Sequence, residues 1–219
     1  MAMLADTEIQ AAIRDRDLDI DPFIDDSLEA ASYDFGVGDE AFVSGSEEKI
    51  NVANKGLVIL DPGEFAVLTT RERVHCGPRV AAQIGLCSTF ARDGLVLLSG
   101  PQIDPGFDGV LVIRVTNLAP KRITLPHQAK FLTVQFFKLN HPVSHPYDGP
   151  RQGQTGLGTD DLRELAHPDS PTLGGMVRSL SALARDVSDL KTSVKWMGWA
   201  IPIIVGLGIT VIGIIVALK

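Results

Sequence analysis

Residues 103–113 read Ile-Asp-Pro-Gly-Phe-Asp-Gly-Val-Leu-Val-Ile, an Asp-Pro-Gly turn that leads directly into a run of aliphatic residues. Proline and glycine at such positions favour tight turns, and short runs rich in β-branched residues favour strands. The pattern recurs between about residues 31 and 145, where short apolar runs alternate with Gly, Pro, Asp and Asn, at 57–60, 65–68, 95–98, 110–113 and 131–134. This spacing predicts a mainly β domain, either a sandwich or a barrel.

Composition narrows the classes of function. The 219 residues suffice for one sizeable domain with accessories, or for two small domains. A net charge of −7 argues against a general nucleic-acid coat, although it leaves room for a local basic pocket that binds phosphate. Cys76 and Cys87 set no disulfide framework and lack the clustering of a metal site, so no metal site is predicted. The acidic, amphipathic N-terminus differs from a secretory signal, so we expect the folded domain in the cytoplasm.

Helical patterns lie on both sides of the strand-rich region. Leu4, Ile9, Ala12 and Ile13 recur at helical spacing and predict a short N-terminal helix. Residues 159–172 are expected to form a linker, and residues 173–195 an amphipathic stalk helix. The stalk carries a heptad-like stripe, which Lys191 interrupts, at Leu173, Val177, Leu180, Ala184, Val187 and Val194. Two interpretations stay open: a helix that lies on its own domain, or a stalk that associates with other copies.

Residues 196–218 form an uncharged segment that ends before Lys219. At about 1.5 Å per residue a helix of this length spans roughly 34 Å, enough for a hydrocarbon core of about 30 Å. Trp196 and Trp199 stand where interfacial aromatic residues are common, and Lys195 precedes them. The sequence therefore predicts one transmembrane helix at 196–218, in a single-pass membrane protein with its folded domain in the cytoplasm.

Five segments of the strand-rich region resemble, in order, motifs of the dCTP deaminase and dUTPase superfamily. They lie at residues 28–34, 87–92, 103–109, 131–137 and 152–156. The resemblance covers roughly residues 3–158 and implies that residues 1–158 form a dUTPase-like, nucleotide-binding β-barrel or sandwich. The resembling enzymes are trimers with sites between subunits, so the resemblance also implies a homo-oligomer, a trimer or higher.

The resemblance assigns nucleotide-binding roles to residues in these motifs. Ser88 and Thr89 offer hydroxyl groups and Arg92 a planar guanidinium, a combination that suits a triphosphate. By resemblance, Asp104 lies near the sugar and Phe107 packs under the deoxyribose. The candidate set is completed by Arg114, Gln135, Gln152 and Gln154.

Arg114 is the departure that bears most on function. The deaminases carry a glutamate ten residues after the hairpin aspartate, where it transfers protons during attack of water on the pyrimidine. In this chain that position, counted from Asp104, is Arg114. The pKa of arginine is above about 12, so its side chain stays protonated at neutral pH and does not serve as a general base. We therefore do not expect deamination by the family mechanism.

Two functions from different classes remain. The leading hypothesis is a catalytically inactive sensor that binds a deoxynucleotide or short oligodeoxynucleotide and acts on the membrane, an arrangement that resembles bacterial antiphage effectors. The alternative is a membrane-anchored dUTP diphosphatase, in which Asp104 is the catalytic residue that orients water and Mg²⁺ is bound by the phosphates. Turnover of dCTP or dUTP separates the two hypotheses.

Overall fold

The computed structural model describes residues 1–44, 46, 48–163 and 173–217. The chain divides into two compact units, Met1–Gly175 and Met176–Lys219. The strands are β1 Ala2–Met3, β2 Leu18–Asp21, β3 Leu28–Glu29, β4 Ser32–Val43, β5 Ile50–Asn51, β6 Leu57–Leu60, β7 Phe65–Cys76, β8 Val80–Leu86, β9 Leu95–Leu97, β10 Gln102–Ile103, β11 Asp108–Asn117, β12 Ile123–Pro126 and β13 Lys130–Lys138. The helices are α1 Asp6–Arg14, α2 Val52–Lys55, α3 Ser88–Arg92, α4 Thr159–Arg163 and α5 Leu173–Ala217, with a 3₁₀ turn at Asp25–Ser27.

The first unit is built on two antiparallel sheets that share one strand. The first sheet runs β10-β8-β13-β4 and the second runs β4-β7-β11-β9. Short strands extend them: β1 pairs with β13, β3 and β5 pair with β4, and β2 pairs with β7. Strands β6 and β12 form a separate two-stranded ribbon. The prediction of a mainly β domain with an N-terminal helix is confirmed, and the sheet is curled because β4 belongs to both halves.

Strand β11 shows why the aliphatic run in the opening stretch becomes a strand. Successive side chains of a strand point to opposite faces. Leu111, Ile113 and Val115 are buried in the core, whereas Val112 and Arg114 between them are only partly buried. Arg114 therefore points away from the side chains that build the core.

The core between the sheets is aliphatic and aromatic. Four aromatic side chains, Tyr33, Phe35, Phe131 and Phe136, are completely buried. The Tyr33 and Phe35 rings meet edge to face with centroids 5.6 Å apart, a favoured geometry for aromatic pairs. The Tyr33 hydroxyl accepts a hydrogen bond from the Ile24 amide at 2.7 Å, which satisfies the one polar group of that ring. The ring contact lies within β4, and the hydroxyl bond ties β4 to the residue that precedes the 3₁₀ turn.

A buried glutamate lies where β4 passes from one sheet to the other. The Gly36 amide donates to Oε2 of Glu72 at 2.7 Å, and Glu72 is 1% exposed. The Thr70 hydroxyl donates to the Glu72 carbonyl at 2.8 Å and accepts from the Leu111 amide at 2.9 Å. These bonds satisfy amide groups that the irregular ladder at this corner leaves open. Burial raises the pKa of Glu72, because the charged form loses its hydration.

The C-terminal predictions have mixed outcomes. Part of the predicted linker is helical: α4 occupies residues 159–163, and residues 164–172 lie outside the described residues. Helix α5 runs through both the predicted stalk and most of the predicted membrane segment. Across the described residues, however, no helix meets the length and apolar character needed to cross a membrane. The structure thus does not support the span predicted at 196–218, whose last residue is not described.

The corner glutamate makes stability depend on pH. The Glu72 pKa is raised in the fold, so the protein loses stability as pH rises above the ordinary value of 4.5 and through the folded-state pKa. Glu72→Gln keeps an acceptor for the Gly36 amide and removes the ionisation. We expect the variant to gain stability over the parent above pH 4.5, with the difference vanishing at lower pH. Urea denaturation across this range measures it, and the exposed Glu48→Gln is the control. A pH-independent difference would contradict the assignment.

Candidate functional site

The hairpin of the opening stretch crosses between the two sheets. Its first strand, β10, pairs with β8 in the first sheet, whereas β11 pairs with β7 in the second. The turn is closed by a bond from the Phe107 amide to the Asp104 carbonyl at 3.1 Å. Gly106 has φ +94°, and a side chain there would place its Cβ 2.6 Å from Cβ of Pro146. Glycine is therefore required at this position.

A cavity of about 300 Å³ lies beside this hairpin. Its wall combines apolar side chains from both sheets with polar groups from the hairpin and from residues 147–154. The lining residues include Ile84, Ile103, Asp104, Phe107, Val112, Arg114, Tyr147, Arg151 and Gln154. An apolar wall with a few convergent polar groups is the usual form of a small-molecule site.

Two arginines give the cavity its basic side. The Arg114 amide donates to the Ser99 hydroxyl at 2.8 Å, and its Nη2 lies 3.7 Å from Oδ1 of Asp161. Nη1 of Arg151 donates to the same carboxylate oxygen. The Asp161 side chain is completely buried, whereas those of Arg114 and Arg151 stay 29% and 38% exposed. Asp161 thus holds both guanidinium groups while leaving part of each accessible to a ligand.

The second carboxylate oxygen of Asp161 is also fully used. Oδ2 accepts the Gly158 amide at 3.0 Å and Nε2 of Gln154 at 3.2 Å. Asp161 belongs to α4, so a helix that follows all the strands in the chain contributes the residue that organises the cavity. A buried carboxylate with this many donors is bound to its place in the fold and is not available to a substrate.

Residues 152–154 bind to the hairpin of their own chain. The Val110 amide donates to the Gln154 carbonyl at 2.8 Å, and the Gly153 amide donates to the Asp108 carbonyl at 2.7 Å. A Cβ on Gly109 would lie 2.9 Å from that Gln154 carbonyl oxygen, so glycine allows the close approach. The Gln152 side chain donates to the Gly106 carbonyl at 3.0 Å and accepts from the Asp108 amide at 3.1 Å. Gln152 therefore fastens this segment to the hairpin.

An aromatic pair and one carboxylate complete the cavity. The rings of Phe107 and Tyr147 meet at 61° with centroids 5.6 Å apart, and Phe107 is 8% exposed. Asp104 contributes the one carboxylate among the cavity-lining residues that the structure describes, and its Oδ1 accepts a hydrogen bond from Gln102. Elsewhere in the described chain, no group of three or more His, Cys, Asp or Glu side chains is arranged to hold a metal ion.

The single chain brings only part of the predicted site together. Asp104, Phe107, Arg114 and Gln154 line the cavity, and Gln152 supports it from outside. The remaining four residues are exposed and do not line it: Ser88, Thr89 and Arg92 on α3, and Gln135 on β13. Their part in binding stays a prediction.

Cys87, which directly precedes α3, is not a reactive thiol. Burial, together with the neighbouring Asp34 carboxylate, raises the pKa of Cys87 to about 12. The thiolate is the nucleophilic form of cysteine, and it is scarce at neutral pH when the pKa is this high. Cys87 is therefore not expected to act as a nucleophile.

Sequence analysis missed Arg151 and Asp161 as members of the site. A signal for α4 was present, because Asp160 and Asp161 follow Thr159 and acidic residues are common in the first turn of a helix. Nothing in the local sequence indicated that Asp161 is buried against Arg114, which lies 47 positions earlier in the chain.

Comparison with known proteins identifies close relatives. Residues 3–139 match the dCTP deaminase-like family. The dCTP deaminase of Pyrococcus horikoshii is 37% identical over 146 residues, covering 67% of this chain and 92% of that protein. The dCTP deaminase of Thermococcus gammatolerans is 35% identical over 161 residues, covering 74% and 98%. The crystal structure of the 2′-deoxycytidine 5′-triphosphate deaminase from Agrobacterium tumefaciens shares the fold, with a TM-score of 0.54 and 16% identity over 64% of this chain and 49% of that one.

Asp161 supplies a test of how the basic side is held. Asp161→Asn leaves Arg114 and Arg151 without a buried countercharge, and we expect a loss of about 1–3 kcal/mol in the free energy of unfolding, since solvent screens part of the effect. The neighbouring Asp160→Asn is the matched control, because Asp160 is exposed on the same helix. Denaturant titration of both variants gives the comparison, and equal stabilities would show that Asp161 does not organise the cavity.

Proposed function

The chain belongs to the dCTP deaminase-like family, and we propose that it binds a deoxynucleotide or a short oligodeoxynucleotide without deaminating it. The observation that carries the proposal is Arg114, which lines the cavity and is paired with the buried Asp161. A fixed positive charge stands where the family resemblance expects a proton-transferring glutamate.

The remaining acidic groups do not replace that glutamate. Asp161 is completely buried, and both of its oxygens accept hydrogen bonds from the protein. Asp104 lies in the turn at the other end of the hairpin from Arg114 and accepts a bond from Gln102. A general base has to reach the proton that it removes, directly or through one water. The arrangement around Arg114 supports binding rather than proton transfer.

The same arrangement suits an anionic ligand with an apolar ring. Arg114 and Arg151 expose part of two guanidinium groups, which form paired hydrogen bonds to phosphate or carbonyl oxygens. Phe107 and Tyr147 form an aromatic surface beside them, and Ile84 belongs to the apolar wall. These features support a nucleotide as the ligand.

We further propose that the ligand binds between copies of a homo-oligomer, a trimer as the family resemblance implies. In the single chain, α3 with Ser88, Thr89 and Arg92 is exposed and separate from the cavity. A neighbouring copy that presents α3 to the cavity would add hydroxyl and guanidinium donors for the phosphates.

The hydrolase hypothesis rests on Asp104. It is the one carboxylate on the described cavity wall, and an aspartate in this hairpin suits the orientation of an attacking water. Mg²⁺ prefers oxygen ligands and often takes several from phosphates, so a single carboxylate fits an ion held mainly by the nucleotide. Pyrophosphate release from dUTP would support this second function.

Membrane attachment is a separate proposal that rests on the sequence. Residues 196–218 carry no charged side chain, and the exposed Trp196 and Trp199 begin the segment. We propose that this segment anchors the chain in a membrane with the nucleotide-binding domain in the cytoplasm, and that bound ligand alters membrane integrity as in antiphage defence. If the chain has a resting and an active state, the ligand shifts the equilibrium between them only by its difference in affinity for the two.

Binding and turnover test the nucleotide proposal together. The full chain in detergent is incubated with dCTP, with dUTP and Mg²⁺, and with a short oligodeoxynucleotide. We expect binding of at least one of them and no uracil nucleotide from dCTP. Arg114→Ala is expected to weaken binding about tenfold, the effect of one charge-assisted hydrogen bond. Arg122→Ala, which removes an exposed ion pair with Asp61, is the control. Deamination of dCTP, or binding of none of the three, would refute the proposal.

Fractionation tests the membrane proposal. We expect the full chain to stay with membranes through alkaline carbonate washing, because an inserted helix is held by the hydrophobic effect and not by charge. A chain that ends at Lys195 is expected in the soluble fraction. The same pair tests the effector role: ligand-dependent loss of membrane potential in cells should require residues 196–218. Release of the full chain by carbonate, or equal depolarisation by the shortened chain, would contradict these roles.

A further inference from the structure

Helix α5 carries an exposed apolar seam in a register that sequence analysis did not find. The seam residues are separated by alternating steps of four and three and are 48–66% exposed: Met176, Leu180, Leu183, Val187, Leu190 and Val194. The predicted stripe instead included Ala184 and the position of Lys191, both of which lie beside the seam. Every position of the seam is a large apolar residue, so its heptad repeat has no interruption.

The repeat has the spacing of a coiled coil. Apolar residues that recur on average every 3.5 residues occupy the a and d positions of a heptad and face a partner helix. Leu180, Val187 and Val194 take the a positions, and Leu183 and Leu190 take the d positions. On the outer face, polar residues such as Arg185, Ser188 and Asp189 are exposed.

Two charges flank the seam and point to the orientation of the partner. Asp186 precedes Val187 and takes a g position, and Lys191 follows Leu190 and takes an e position. In parallel helices of equal register, a g residue faces the e residue five positions later in the partner. Asp186 of one copy then faces Lys191 of the other. An antiparallel pair matches g positions with g positions and e positions with e positions, so it does not bring Asp186 and Lys191 together.

We propose that residues 176–194 of α5 form a parallel, in-register coiled coil with the same segment of other copies of this chain. The charge complementarity of Asp186 and Lys191 selects another copy as the occupant. A lipid surface is a poorer match, because Asp186 flanks the seam and Asp189 lies on the outer face, whereas helices that lie on membranes are rich in basic residues on their polar face. The proposal depends neither on nucleotide binding nor on membrane insertion.

Disulfide trapping in the full chain tests orientation and register. Leu180→Cys and Val194→Cys place single thiols near the two ends of the seam, and the outward-facing Arg185→Cys and Ser188→Cys are matched controls. The parent chain sets the background from Cys76 and Cys87. After mild oxidation we expect each seam variant to cross-link to itself and the controls to remain at background, because only parallel helices bring the same position together at both ends.

Three results would overturn the proposal. Cross-linking of the controls as efficiently as the seam variants would show unspecific proximity. Cross-linking only between Leu180→Cys and Val194→Cys chains in a mixture would show an antiparallel pair. Absence of cross-links at both seam positions would show that the seam does not pair with other copies and contacts lipid or a different partner instead.

A charge exchange tests the flanking pair separately. Asp186→Lys puts two lysines opposite each other, and we expect a two- to fivefold lower cross-linking yield through Val194→Cys, roughly the effect of an exposed ion pair. The double variant Asp186→Lys, Lys191→Asp restores opposite charges and should restore the yield. A yield that the single exchange leaves unchanged, or that the double exchange fails to recover, would refute the role of this pair.

Discussion

Strand β4 is the constraint on which the nucleotide-binding unit depends. It pairs with β13 over its first residues and with β7 over its last ones, so both sheets are built on one strand. A strand that changes sheets leaves backbone groups without ladder partners, and buried groups of this kind have to be satisfied. Glu72 accepts the Gly36 amide, and Thr70 bridges to β11. The fold accepts a buried carboxylate because it closes this corner.

The corner also explains where the cavity lies. Since the two sheets diverge from β4, the hairpin from β10 to β11 has to cross from one to the other, and Asp104 and Arg114 of this hairpin both line the cavity. Residues 152–154 bind to the hairpin, and Asp161 pairs with both Arg114 and Arg151. Helix α4, near the C-terminal part of the first unit, is therefore tied to the arginines that line the cavity.

Much of this architecture could be predicted from local patterns. Short aliphatic runs between turn residues identified the strand-rich region, and the Asp-Pro-Gly turn identified the hairpin together with Asp104 and Phe107. The apolar stripe of α5 was harder, because several registers of one helix contain apolar residues at steps of three and four. Side chains of both registers are exposed along α5, and residue type distinguishes them: Leu183 and Leu190 are large and apolar, whereas Ala184 is small and Lys191 is charged.

By itself, the sequence determined the class of fold, the Asp-Pro-Gly turn of the hairpin and the presence of Arg114 ten residues after Asp104. These features are local, because turn propensity, strand alternation and the identity of a residue at a motif position need no partner elsewhere. The environment of Arg114 was decided only by the tertiary structure. Its countercharge, Asp161, and its neighbour, Arg151, come from distant parts of the chain, and ion pairing depends on distance in space. No spacing along the chain encodes that contact.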